Sequence, residues 1–220
     1  ESSILARHRH DRAKPPPPRT QRAPLAPVGL RIIGGTLRGR KLRYSGDFAV
    51  RPMKDRVREA VFNLLGPAVK GKHAVDLFAG TGALGLEAIS RGAAKATLLE
   101  QHFPTARILA ENVADLGVAG QVEVVPGNVF LRSLWEDRLG DVPWLVFCSP
   151  PYAFFVQRKD EMLDLVGHLV QKAPPNSLFV VESDGQFDFA SLPSPQSWDV
   201  RSYPPAIIGI WHKAAHSLGE

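Results

Sequence analysis

From residue 73 onward the apolar positions fall into two alternating kinds of run. Short continuous apolar stretches occur near 73–78, 95–100, 121–126, 144–149 and 177–183, and segments with apolar residues at helical spacing lie between or after them, near 82–91, 103–116, 129–138 and 158–172. Continuous apolar runs suit strands covered on both faces, and a 3.6-residue period suits the helices that cover them. This alternation predicts a parallel sheet with helices on both sides, an α/β fold. The end of the chain breaks the rhythm. Trp198–Tyr203 and Ala206–His212 are strand-like runs joined by Pro204-Pro205, which predicts an antiparallel hairpin closing a mostly parallel sheet of seven strands.

Upstream the pattern changes again. From Met53 to Leu65, Val57, Ala60, Val61, Leu64 and Leu65 recur at helical spacing, which leaves Arg56 and Arg58 toward other faces of that helix. Residues 30–44 carry two short strand-like pieces around glycine turns, expected to form a small β-hairpin. Residues 1–29 have five arginines, the run Pro15–Pro18 and little apolar periodicity, so a disordered or extended tail is expected there. The division that follows is a basic tail at 1–29, a hairpin extension at 30–52 and the main domain at 53–220.

Charge sharpens that division. Residues 1–58 hold 15 Lys/Arg against 4 Asp/Glu, whereas the remainder holds 12 against 18. A basic excess at one end of the chain points to a polyanionic partner, most simply nucleic acid. The one cysteine, Cys148, excludes an internal disulfide framework and fits a reducing compartment. No apolar run reaches the roughly 18 residues of a membrane helix, and no Cys/His cluster has zinc spacing. The tail is also Arg-rich and acid-poor, as organelle-targeting segments are.

Two motifs carry chemistry. Gly80-Thr81-Gly82-Ala83-Leu84-Gly85 follows a predicted strand and opens a predicted helix, the setting of a nucleotide-binding turn. Asp76 stands at the end of that strand. A pyrophosphate there would meet a carboxylate, which disfavours NAD; the ammonium and sulfonium of S-adenosylmethionine (SAM) would be attracted. Glu100, ending the second strand, is placed to hold ribose hydroxyls. Asn128 can either read an adenine edge through its amide or cap the segment that follows. Phe78, Ala79, Gly80, Thr81, Gly82, Gln101 and Val129 complete the candidate cofactor contacts.

About seventy residues after the glycine turn, the fourth strand ends in Ser149-Pro150-Pro151-Tyr152. Prolines fix φ and remove N–H donors, so their carbonyls point rigidly outward. A nucleobase amine is a poor nucleophile because its lone pair is delocalised. Accepting its two N–H groups at the residue-149 side chain and a proline carbonyl can present that lone pair to a methyl donor. Tyr152 can stack on a base flipped out of its helix. Ser149, Pro150, Pro151 and Tyr152 are therefore the candidate catalytic residues.

These motifs, with Arg31-Ile-Ile-Gly-Gly, Arg38-Gly-Arg-Lys-Leu and Arg51-Pro-Met-Lys-Asp-Arg-Val-Arg-Glu-Ala-Val-Phe-Asn, resemble the bacterial 16S ribosomal RNA guanine-N2 methyltransferases, over about Arg31 to His212. The resemblance implies a Rossmann-like class I SAM-dependent methyltransferase with a small N-terminal hairpin, and a guanine exocyclic amine as target. It implies a partner in ribosomal RNA or the small subunit, a cytoplasmic monomer, and no metal or membrane. Arg38, Arg40, Lys41, Arg43, Arg56 and Arg58 are the candidate phosphate contacts. The chain departs from the family pattern at Ser149, where Asp or Asn is usual; a serine is a weaker acceptor, so Ser149→Asp is expected to raise the rate if the pocket has room. Other readings stay open: a methyltransferase of DNA adenine or protein glutamine, an RNA-binding or assembly factor that only retains SAM, and a nucleotide-dependent oxidoreductase.

Overall fold

The computed structural model describes residues 29–44 and 53–215. Within them the predicted alternation is realised as β1 (His73–Asp76), α2 (Ala83–Ser90), β2 (Lys95–Glu100), α3 (Phe103–Leu116), β3 (Val122–Pro126), β4 (Trp144–Cys148), α5 (Lys159–Lys172), β5 (Leu178–Ser183), β6 (Asp199–Tyr203) and β7 (Ala206–His212). Helix α1 (Asp55–Leu65) precedes them, and a single helical turn, α4 (Phe154–Gln157), follows the Ser-Pro-Pro-Tyr turn. The seven-stranded sheet runs β3-β2-β1-β4-β5-β7-β6. β1 to β5 are parallel; β7 pairs antiparallel with β5, and β6 with β7.

Each central strand feeds both faces of the sheet. Leu145 and Phe147 of β4 join a core with residues of α1, α2 and α3, while Trp144, Val146 and Cys148 join a second core with Met162, Leu165, Val166 and Leu169 of α5. That two-sided burial is why the strands read as unbroken apolar runs. Strand order reverses between β1 and β4, and ligands in such sheets bind outside the carboxyl ends of the strands at this switch.

Three local expectations change. The predicted helix at 129–138 is two short 3-10 turns, Arg132–Leu134 and Glu136–Arg138, interrupted at Trp135 (φ −145°). Trp135 is wholly buried, and its indole N–H donates to the Val129 carbonyl at 2.9 Å; seating that ring breaks the helical path. The N-terminal hairpin has no regular strands among the described residues: its pairing is one antiparallel bridge, Arg31 to Lys41, supported by the bonds Ile32 N–H to Arg40 O and Leu42 N–H to Leu30 O. Helix α1 buries Val57, Arg58, Val61, Phe62 and Leu65, while Leu64 is 37% exposed. The stripe therefore includes Arg58 and excludes Leu64. Residues 1–28 of the tail, 45–52 of the extension and 216–220 of the main domain lie outside the described residues.

Candidate active site

Four parallel strands end at one cavity of about 600 Å³. Asp76 follows from β1, Glu100 from β2, Ser149 from β4 and Glu182 from β5, and all four line it. The β6–β7 turn adds Tyr203, Pro205 and Ala206; the N-terminal end of α1 adds Met53, Lys54 and Val57. The two predicted motifs thus share a single hollow, with the cofactor candidates on the β1–β2 side and Ser149, Pro150, Pro151 and Tyr152 on the β4 side.

The glycine turn is shaped by contacts that a side chain would destroy. Gly82 has φ +90°, and a Cβ there would stand 2.4 Å from Leu109 Cδ1. A Cβ at Gly85 would stand 2.1 Å from Leu98 Cδ2, so any larger residue there would have to displace the buried Leu98 side chain between α2 and β2. Glu100 ties the turn to β2: its carboxylate accepts from Gly80 N–H at 2.9 Å and from His102 N–H at 2.7 Å. Lone pairs remain on both oxygens for ribose hydroxyls.

Asp76 is 1% exposed. One carboxylate oxygen accepts from Gly85 N–H at 3.2 Å; the other has no partner, as does the hydroxyl of Thr81, which is buried in the same turn. Burial pushes the Asp76 carboxyl up to about 7, with a smaller push from Glu100. A buried acid with an orphaned oxygen on a cavity wall fits a cationic ligand group, and the turn, Glu100 and Gln101 fit the remainder of a SAM molecule. Phe78, Ala79, Gly80, Thr81, Gln101 and Val129 line the cavity. Gly82 and Asn128 do not. Asn128 accepts the Phe130 N–H at 3.1 Å, which is the capping alternative rather than a contact in the hollow.

On the β4 side, Ser149 and Tyr152 both donate to the Glu182 carboxylate, Tyr152 OH at 2.8 Å. Glu182 is an acid on the cavity wall that the sequence reading did not single out. Its signal was available: like Asp76 and Glu100, it is an acid at the carboxyl end of an apolar strand, Val180-Val181-Glu182.

The basic candidates divide. Arg58 is completely buried, donates to the Arg31 carbonyl at 2.6 Å and to Asp55 at 3.0 Å, and lies 3.9 Å from Glu87. It cannot reach an RNA phosphate; its place on the Phe62 stripe of α1 turns it inward. Arg43 pairs with Asp115 at 2.7 Å, and Arg40 donates to the Asp115 carbonyl. Arg38, Lys41 and Arg56 are exposed and have no side-chain ion pair among the described residues. Among those residues, too, no helix is long and apolar enough to cross a membrane, and no three His, Cys, Asp or Glu are grouped to hold a metal ion.

Comparison with known proteins agrees with this geometry. The profile of a family described as conserved hypothetical protein 95 matches residues 30–201. Ribosomal RNA small subunit methyltransferase D of Escherichia coli strain K12 is 39% identical over 168 residues, 75% of this chain and 80% of that one. The chain belongs to this family. It is a SAM-dependent methyltransferase. A solved structure of a putative methyltransferase from Escherichia coli superimposes with a TM-score of 0.67 at 32% identity, covering 86% of this chain and 99% of that one. The fold alone is shared with an RNA methyltransferase from Salinibacter ruber in complex with S-adenosyl-L-homocysteine, at a TM-score of 0.56 and 18% identity, over 77% of this chain and all of that one.

Proposed function

We propose that this enzyme methylates the exocyclic N2 of a guanine in small-subunit ribosomal RNA. The observation that carries the reading is the shared cavity: Ser149, Pro150, Pro151 and Tyr152 line the same hollow as the SAM-side acids Asp76 and Glu100. When bound, SAM would supply an activated methyl group for transfer to the amine nitrogen, with its demethylated form leaving and one amine proton passing to solvent. The protein's part is alignment, because the methyl is already activated. Asp76 attracts the ammonium, Glu100 holds the ribose and the 78–81 backbone closes around the remainder. Ser149 Oγ and the Pro150 carbonyl accept the two N–H groups of the amine. Tyr152 covers the ring of the target base.

The relatives, named as ribosomal RNA methyltransferases, support RNA over DNA or protein, and the exposed cations on the segment strapped over α2 support a phosphate-binding rim. The test is methyl transfer from SAM to small subunits purified from a strain lacking its own enzyme of this type, followed by nucleoside mass spectrometry. N2-methylguanosine is the expected product. Methyl on adenine, on protein, or nowhere would overturn the reading.

The rim makes its own prediction. Arg38→Ala, Lys41→Ala and Arg56→Ala should each lower the slope of log affinity against log salt by about one, with little change in target choice. Filter binding of small-subunit RNA at several salt concentrations measures it. Unchanged slopes in all three would remove them from the interface.

A further inference from the structure

We propose that Glu182 is a positioning residue: its carboxylate holds the Ser149 hydroxyl proton, so that the Ser149 oxygen meets the target amine purely as an acceptor. This deepens the guanine-amine reading and rests on it.

A serine hydroxyl has one hydrogen to give and two lone pairs, and it rotates freely. Facing an amine that offers two N–H groups, a free hydroxyl spends part of its time with its own hydrogen toward the amine, where it repels. An ionised carboxylate only accepts, so a hydrogen bond between Ser149 and Glu182 has one direction. Ser149 donates, and both lone pairs on Oγ remain for the substrate. The negative charge behind Ser149 also makes its oxygen a stronger acceptor, as charge-assisted hydrogen bonds are stronger than neutral ones. Serine and glutamate together thus reproduce what a carboxylate at position 149 would offer directly.

The surroundings of Glu182 argue against a purely structural role. It is 6% exposed, and no Lys, Arg or His forms an ion pair with it among the described residues. Among the described residues its side chain is hydrogen-bonded to two hydroxyls, Ser149 and Tyr152, at the two ends of the Ser-Pro-Pro-Tyr turn. A buried carboxylate with no counter-ion is expensive to hold. A neutral side chain would pack β5 at lower cost. What the charge adds is the orientation of two groups that line the cavity.

The test combines substitutions with two readouts. Glu182→Gln keeps the shape but offers one acceptor oxygen to two hydroxyls. Its single-turnover methylation rate should fall by about tenfold to a hundredfold, the scale of one charge-assisted hydrogen bond. KM for small subunits and calorimetric affinity for SAM should stay within about twofold, and the melting temperature should be unchanged or higher because a buried charge is gone. Ser149→Asp alone should also be slow, since it sets a second carboxylate against Glu182 and makes the pair share a proton. Ser149→Asp combined with Glu182→Gln restores a single carboxylate beside the amine and should recover the rate to within a few-fold of wild type. Glu182→Gln at the wild-type rate overturns the proposal. So does a rate loss accompanied by an equal loss of melting temperature, or a combined variant as slow as Glu182→Gln. If the wild-type protein itself puts no methyl on guanine, the functional reading has failed, and this inference falls with it.

Discussion

Glu87→Ala should destabilise the protein by about 3–5 kcal/mol, a large share of the roughly 5–15 kcal/mol that holds a domain together. Glu87 is completely buried on α2 and gathers the N-terminal segment onto the domain. Its carboxylate accepts from Ile33 N–H at 2.7 Å, Gly34 N–H at 2.8 Å and Arg91 Nε at 2.8 Å, and it lies 3.9 Å from Arg58. Removing it leaves the fully buried Arg58 with Asp55 as its one remaining carboxylate partner among the described residues, beside the Arg31 carbonyl, and strips two backbone N–H groups of their acceptor. Ser90 would still clamp the segment by donating to the Gly34 carbonyl and accepting from Leu37 N–H at 2.9 Å, so the loss should be graded rather than total. Urea unfolding measures the main effect. Limited proteolysis should show faster cleavage within 30–43, and RNA binding should weaken because Arg38 and Lys41 lose their mounting. Glu87→Gln, which keeps one acceptor oxygen, should cost about 1–3 kcal/mol. A Glu87→Ala protein within 1 kcal/mol of wild type would mean that the network contributes little.

That network also explains what could be read from the chain and what could not. The sheet was legible because strands buried on both faces leave unbroken apolar runs, and Asp76, Glu100 and Ser149 were legible because each follows such a run directly. Arg58 was not. A charge is read as surface by default, and its burial depends on partners far along the chain: Arg31, 27 residues before it, and Glu87 on another helix. The hydrophobic stripe of α1 carried a hint in Phe62, one turn beyond Arg58. Glu182 was missed for a different reason. Its strand was identified, yet its role depends on β5 lying beside β4, and adjacency in the sheet is set by tertiary packing. The 129–138 segment failed because helical spacing is blind to a tryptophan that must reach the core. For Ser149, the sequence alone treats the missing carboxylate as a weakness to be repaired by Ser149→Asp; with Glu182 beside it, that change adds a repulsion.

Affinity for SAM should rise about tenfold between pH 6 and pH 8, and Asp76→Asn should abolish that rise. Burial raises the Asp76 carboxyl from 3.8 to about 7 in the free protein. Below that value the group is neutral and offers no charge to the SAM ammonium; above it the carboxylate is ionised and its orphaned oxygen is available. Binding below pH 7 must first expel a proton, which costs about a factor of ten per pH unit. Asp76→Asn has no charge at any pH, so its affinity should be lower by about 1–3 kcal/mol at pH 8 and flat across the range. Stability should move the other way. The folded pKa lies above the unfolded one, so proton binding favours the folded protein, and this group's contribution is lost as pH rises from about 4 to about 7. Without SAM at pH 8, Asp76→Asn should therefore melt at or above the wild-type temperature while binding SAM more weakly. Isothermal titration at pH 6, 7 and 8 and thermal melts of the ligand-free proteins measure both signs. An equal pH slope in wild type and variant would remove Asp76 from the ammonium site; a less stable variant at pH 8 would show that its hydrogen bond to Gly85 outweighs the burial of its charge.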